Sequence, residues 1–359
     1  MSGVSFAPVA SQSVEPPSGL VNVRSLEIGA KGDGVADDTA AIQAAIDRYP
    51  RVYLPRGRYR IDPRVGLSVR NGTQLLGDGP TETLLVADRG GGTIAQLSEY
   101  GPGSIIRRAF DPRRANAYVT RVRIADVAIL MNHPPDAVTT DAIQIGLDLR
   151  NISRSLIERV HVGNVPPIGV KLPRTQRSVY LSQGYGIVFG TRSGGDIAYA
   201  GGEVNTVRDS AVWGAFKLIV HDDPALSPLS AAHNTVVETS DLQTGHSLIS
   251  QESTYAHANV WRSLVLQNVV PQAGNPSPTY VIRIEGSRNR VDGGYVEASP
   301  SARYLIFLGR DSYANRIDLQ TVSAGPATRT VDLGRANTIS ATSRLSYAPT
   351  EYRRATAKK

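Results

Sequence analysis

Four carboxylates follow short apolar runs at similar places in the chain. "KLIVHDD" ends on Asp222 and Asp223, "SLISQES" carries Glu252 at the matching position, and "VIRIEGS" carries Glu285 one residue earlier. Paired carboxyls are the chemistry of glycosidic-bond hydrolysis, about 5 Å apart for retention and roughly 6.5–9.5 Å for inversion. Strands stacked about 4.8 Å apart supply the shorter distance between neighbours and the longer one between strands two apart or on a diagonal. Asp222, Asp223 and Glu252 are therefore the candidate general acid and base. The competing reading is a set of solvated residues at strand ends.

Around them, Trp213, Tyr255, Trp261, Tyr280 and Tyr295 offer flat apolar faces on which sugar rings stack. The same rings also read as core or subunit packing. His246, Arg283 and Glu285 are candidate polar substrate contacts, and Arg208, Arg262 and Arg283 suit the carboxylates of an acidic glycan. No acidic cluster has the ligand count for Ca²⁺. The six histidines show no metal spacing and there are no cysteines. His133, His161, His233 and His257 read as turn or surface residues. The expectation is no metal and no cofactor.

The elements that must position these residues repeat. Asn followed closely by Val or Ile recurs at Asn205, Asn234, Asn259, Asn289, Asn315 and Asn337, in steps of 29, 25, 30, 26 and 22 residues, with an earlier copy at Asn151. A second column of short apolar strands accompanies it: "AIQIG", "GIVFG", "KLIVHDD", "SLISQES", "VIRIEGS", "LIFLGRD", "TVDLGRA". Strand-rich self-similarity near 25 residues indicates a stacked solenoid, and the L-x-x-L-x-L pattern of leucine-rich repeats is absent. Asn at a turn can take the left-handed conformation and hydrogen-bond to the Asn of the next coil.

The segment "GAKGDGVADDTAAIQAAIDRYPRVYLPRGRYRI", Gly29 to Ile61, opens the fold. Ile42, Ala45 and Ile46 fall on one face of a short helix over Thr39–Tyr49, which Asp37, Asp38 or Thr39 can cap and Pro50 stops. Its glycines lack the G-x-G-x-x-G spacing of a dinucleotide site and the G-K-[ST] of a P-loop, and two aspartates stand where phosphate would sit. With "LLGDGPTETLL" the segment resembles the entry of the pectate-lyase superfamily, which includes polygalacturonase-like enzymes and bacteriophage tailspikes. The resemblance is specific over Val23–Leu85. It implies an all-β, single-chain right-handed parallel β-helix whose open N-terminal end the short helix caps. The polygalacturonase order N-T-D, D-D, G-H-G, R-I-K is echoed by "NTV" at Asn205, Asp222–Asp223, Gly245–His246 and Arg283. Val207, Ser247 and Glu285 depart from it, and Val207 removes the first catalytic carboxylate.

The predicted organisation is an arm or virion anchor over 1–22, a cap with first coils over 23–87, the β-helix over 88–347 and a basic tail over 348–359. Loops are expected near 88–118. The net charge of +7 suits an anionic polymer, while scattered arginines and the lack of a binding motif argue against nucleic acid. There is no apolar run long enough to span a bilayer and no basic start with an apolar core at the N-terminus. The expectation is a virion or extracellular spike that binds, and in a stronger version depolymerises, a bacterial surface or capsular polysaccharide, with the arm on other virion proteins. A secreted hydrolase or lyase and a non-catalytic carbohydrate-binding module are the alternatives. Fifteen tyrosines against five phenylalanines suit half-wet subunit contacts, and with the tailspike resemblance point to a homotrimer.

Overall fold

The computed structural model describes residues 19–87, 103–109, 118–131, 144–170, 184–191, 202–221, 232–271, 276–297, 301–323 and 328–341. Asp222, Asp223, His133, the tail 348–359 and all but the last four residues of the predicted arm lie outside them. The described chain is a right-handed parallel β-helix. Its first ladder has eleven strands, from Val21–Asn22 to Thr338–Ala341. A second and a third ladder form one sheet, because two long strands, Ala211–His221 and Asp241–Gln251, run through both. Each rung passes from the first ladder to the second, to the third, and back.

Alternation fixes what faces inward. In the first ladder Val52, Leu75, Ile124, Ile157, Val207, Val237, Trp261, Val291 and Ile317 stack as one buried column. In the third, Leu147, Ile187, Ile219, Ile249, Ile282 and Ile306 do the same. Trp261 is thus a core residue with no face for a sugar, a correction to its expected role. Val260 and Arg262 on either side of it point outward, and period-two patterning leaves the central ring no other side.

The Asn column is real but differs from its sequence reading in two ways. Asn259, Asn289, Asn315 and Asn337 stack in adjacent rungs, and the side-chain oxygens of Asn289, Asn315 and Asn337 each accept from the backbone N–H of the Asn one rung earlier at 2.9–3.0 Å. Asn205 belongs to the same column, but the next rung places Thr235 there, and Asn234 sits one residue earlier. The left-handed residue is also not the column Asn. It is the residue before it: Arg154, Val204, Asn234, Ala258, Arg288, Ala314 and Ala336 have φ between 51° and 58°. The bend turns the following Asn inward, where its amide satisfies backbone groups that the corner strips from the ladder.

The helix spans Thr39–Arg48 and buries Ile42, Ala45 and Ile46 over the first rungs. Asp37 accepts from the Thr39 N–H at 2.9 Å. Asp38 does not cap; its carboxylate turns back to the Lys31 and Gly32 N–H groups at 2.6 and 3.0 Å. The protein's own carboxylate thus occupies the amides that a phosphate would need. Gln43 completes the lid by pairing its amide with Ser68, accepting from its N–H at 2.7 Å and donating to its carbonyl at 3.2 Å. A side-chain amide there stands in for a missing neighbouring strand.

His221 interrupts the apolar pattern of the core, as does Gln251 on the next rung. His221 follows Phe189 in the second inward column of the third ladder, fully buried, stacked on Phe189 at 4.6 Å and edge-on to Trp261 at 4.9 Å. Among the described residues neither ring nitrogen has a hydrogen-bond partner, and burial lowers its pKa to about 3. The neutral ring is the one the fold holds. Its stability contribution is complete above the unfolded pKa near 6.5 and is lost as pH falls toward 3, at about 1.4 kcal/mol per pH unit for one proton. Urea melts between pH 7 and pH 4 are expected to show that slope as the difference between the natural chain and His221→Leu. Parallel curves for the two proteins would contradict a buried neutral histidine.

Candidate functional site

The outward side of the third ladder gathers charge and rings on consecutive rungs. Lys217, Ser247, Tyr280 and Tyr304 form one outward column, and Ser250, Arg283 and Phe307 another. Glu252 and Glu285 follow the aligned residues Gln251 and Ile284, so they occupy equivalent places on adjacent rungs. The sequence offset between them disappears in the fold. Gly309 comes next in line, and the Glu285 carboxylate lies over it: a Cβ on Gly309 would stand 1.5 Å from Oε2. Glycine there is what lets Glu285 lie along the stack.

These residues form an ion network. Lys217 Nζ donates to Glu252 Oε1 at 2.5 Å, and Ser250 Oγ donates to the same oxygen at 2.6 Å. Arg283 bridges rungs, at 2.9 Å from Glu252 Oε2 and 3.2 Å from Glu285 Oε1. Burial raises the Glu285 pKa against the pull of Arg283. Tyr185 and Phe216 lie under the Lys217 ammonium, and Tyr280 under the Arg283 guanidinium. His246 is buried, tilted against Phe216 at 4.7 Å, with Nε2 at 3.1 Å from the Ser277 carbonyl. Burial lowers its pKa, which keeps the ring neutral. Tyr255 is exposed on the turn just beyond Glu252. The third ladder thus brings together Glu252, Glu285, Arg283 and His246, with Tyr255 at its edge.

Trp213 lies elsewhere, on the outward side of the second ladder. It packs edge-on against His161 at 4.9 Å, and His161 Nε2 lies 2.6 Å from the Val165 carbonyl. The aligned Asp241 and Gln243 continue that side, with Gln243 donating to Asp241 at 2.7 Å. Gln267, Glu297 and Tyr295 extend it, since Gln267 and the Tyr295 hydroxyl both donate to Glu297, at 3.0 and 3.2 Å. Burial raises the Asp241 pKa. An open cleft of about 680 Å³, lined by Arg159, His161, Asp209 and Asp241 among others, runs beside it at the corner with the first ladder. Sequence reading missed Asp241, Gln243 and Glu297. The signal was present: alternation in "AVWGAFKLIVH" and "DLQTGHSLISQ" puts Asp241 and Gln243 on the side of Trp213.

Arg208 and Arg262 are already committed. On the outward side of the first ladder, Arg208 pairs with Glu158 at 2.8 Å and Arg262 with Glu238. Glu158 also binds Arg123 at 2.6 Å, and these arginines hold its pKa down to about 2. That side is a lattice of opposite charges between rungs, in place of a set of free guanidinium groups.

The Lys217–Glu252 contact separates a built network from solvated strand ends. Both side chains are about nine-tenths buried, at 11% exposure each. Removing one partner of such a pair costs about 3 kcal/mol, whereas an exposed pair costs under about 1. Glu252→Leu is expected to destabilise by the larger amount in denaturant titration, and Lys217→Met in the same chain to restore most of it. A loss below about 1 kcal/mol would identify Glu252 as a solvated turn residue.

Residues 20–212, more than half the chain, match the family described as rhamnogalacturonase A/epimerase, pectate lyase-like. Over 69 residues the chain is 45% identical to mannuronan C5-epimerase AlgE2 of Azotobacter vinelandii, covering 16% of this chain and 7% of that protein. It is 41% identical over 69 residues to alginate lyase 7 of the same organism, covering 16% and 8%. The chain therefore spans less than a tenth of the length of these relatives. Among solved structures it is similar to the gp42 tailspike of Acinetobacter phage vb_AbaP_AS12, at TM-score 0.58 and 11% identity over 88% of this chain and 47% of that one. It is also similar to ORF18 of Geobacillus virus E2, at TM-score 0.53 and 16% identity over 91% and 62%. At these identities the likeness is one of fold.

Proposed function

This chain belongs to the rhamnogalacturonase A/epimerase, pectate lyase-like family, and from that premise we propose that it binds an extended surface polysaccharide of bacteria as part of a virion spike. The observation that carries the reading is the repetition of rings and charges on consecutive rungs along the second and third ladders. A polymer presents the same groups at a regular interval, and a side built at one rung interval can meet several residues at once. The +7 charge favours an anionic chain. The names of two relatives, a mannuronan epimerase and an alginate lyase, agree with a polymer of sugars as the ligand.

Attachment is favoured over cleavage by one detail. Both Glu252 oxygens are already filled, by Lys217 and Ser250 on one side and Arg283 on the other. A carboxylate so held is a poor nucleophile or base. If glycoside chemistry is present, Asp241 and Glu285 are better suited to donate a proton, because burial raises the pKa of both. Asp222 and Asp223 remain proposals from sequence for the same chemistry.

Incubation with extracted capsular polysaccharides, alginate included, tests both parts. Retarded migration in affinity electrophoresis without new reducing ends supports attachment, and release of reducing ends moves the reading to an enzyme. Trp213→Ala is expected to weaken binding about tenfold, or ~1.4 kcal/mol. No retention by any polysaccharide in a broad panel would remove the proposal.

The same reading includes a homotrimer, in which exposed Tyr255 and Tyr313 meet neighbouring chains around a three-fold axis. Light scattering at micromolar concentration is expected to give three times the chain mass. A mass of one chain, unchanged on dilution, would favour the free secreted protein.

A further inference from the structure

The outward sides of the second and third ladders differ in what they offer a ligand. Lys217 and Tyr280 of the third are buried. On the second, Trp213, Gln243, Gln267 and Glu297 form one column on consecutive rungs, and Asp241 and Tyr295 belong to the column beside it. All six are half-buried and within reach of a ligand. From the rung of His161 to that of Thr321 neither column holds a lysine or an arginine. Gln243 donates to Asp241, and Gln267 and the Tyr295 hydroxyl donate to Glu297. These side chains spend donors on one another and keep mainly acceptor oxygens for a ligand. The cleft of about 680 Å³ beside them follows the same pattern. Its arginine, Arg159, is committed through every nitrogen: Nε and Nη2 lie on the Asp126 carboxylate at 2.7 and 2.8 Å, and Nη1 on Glu158 at 3.0 Å. His161 is buried, and Nε2 is taken by the Val165 carbonyl. Burial lowers its pKa to about 4, so it adds no positive charge near neutral pH. The Thr239 hydroxyl donates to Asp209 at 2.6 Å.

Resting on the polysaccharide reading, we propose that this face selects sugar units that donate hydrogen bonds and carry no negative charge, and that it rejects uronates and sulfated sugars. The apolar side of such a ring stacks on Trp213 or Tyr295, and its hydroxyl groups donate to Asp241, Gln243 and Glu297. A carboxylate or sulfate would instead bring like charge against Asp241 and Glu297, with no uncommitted guanidinium among the described residues of the face to receive it. Recognition of acidic groups rests on the opposite arrangement, an arginine whose fork is open to the ligand. The net charge of +7 acts at a different range. Summed over the chain, it draws the protein toward an anionic surface. Contacts at this face then decide which unit of the polymer is held. A neutral, hydroxyl-rich sugar and an amino sugar bearing an ammonium group share the chemistry required, since both are donors.

Polysaccharides that retain the full chain in affinity electrophoresis supply the test. Retention is expected to persist or strengthen when the uronate carboxyls of a retained polymer are reduced to primary alcohols with carbodiimide and borohydride. Retention lost on that reduction would overturn the selectivity and leave the polysaccharide reading standing, whereas no retention by any polymer would remove both. N-acetylation of the same polymer separates the two sources: loss of retention assigns the ammonium group, and persistence assigns the neutral hydroxyl-rich unit. Asp241→Asn and Glu297→Gln, which keep the shape of the side chain, are each expected to weaken binding of the reduced polymer about tenfold. Unchanged affinity in both variants, with the fold intact by circular dichroism, would also overturn the proposal.

Discussion

Register is the constraint on which everything else rests. Parallel strands lie about 4.8 Å apart, and each residue sits directly over its counterpart in the rung below. A position in this solenoid is therefore a column, and a column is stable only if its members tolerate one another at that distance. Aliphatic residues do so on the inside. Asn does so at the corner, because its amide can donate to one rung while it accepts from another. Charges do so only with compensation. Arg208 and Glu238 alternate on the first ladder, and on the third Arg283 stands between Glu252 and Glu285.

The same constraint concentrates chemistry. Residues some 25 positions apart in the chain become nearest neighbours, and a single substitution changes one step of a repeating surface. The long strands Ala211–His221 and Asp241–Gln251 matter most in this respect, since each carries outward groups on two ladders. Trp213 and Lys217 belong to one strand, and Asp241 and His246 to the next. The rings, carboxyls and cations of both sides are thus positioned by the same two rungs, and a polymer crossing from one side to the other would meet a continuous set.

Much of the fold was legible because the columns leave a period in the sequence. The lid was read from Ile42, Ala45 and Ile46, and the solenoid from the recurring Asn. What failed was phase. Asn234 fits the pattern by residue type, yet the fold places Thr235 in the column, because rung length varies and residue type alone does not fix where a bend falls. The offset assigned to Glu285 failed for the same reason. Trp261 was misread because an aromatic residue in a strand is ambiguous until the inward side is known. Asp241 went unnoticed because attention to strand ends passed over carboxylates within a strand. The bridge between His233 and His257 was hidden because they stand 24 positions apart in the chain, a distance at which motif reading sees no relation.

The direction of the ladder hydrogen bonds has a mechanical consequence. They run along the solenoid axis from one rung to the next, while the covalent chain runs nearly at right angles to them. Tension applied between the two ends would open one rung at a time, like a zipper, and each step would meet only a few bonds. Force applied along the strands would instead load many bonds together in shear. The molecule is therefore anisotropic, weak when stretched along its axis and stiff when pushed or sheared across it. That anisotropy suits a rod that presses against a surface better than one that hangs from it.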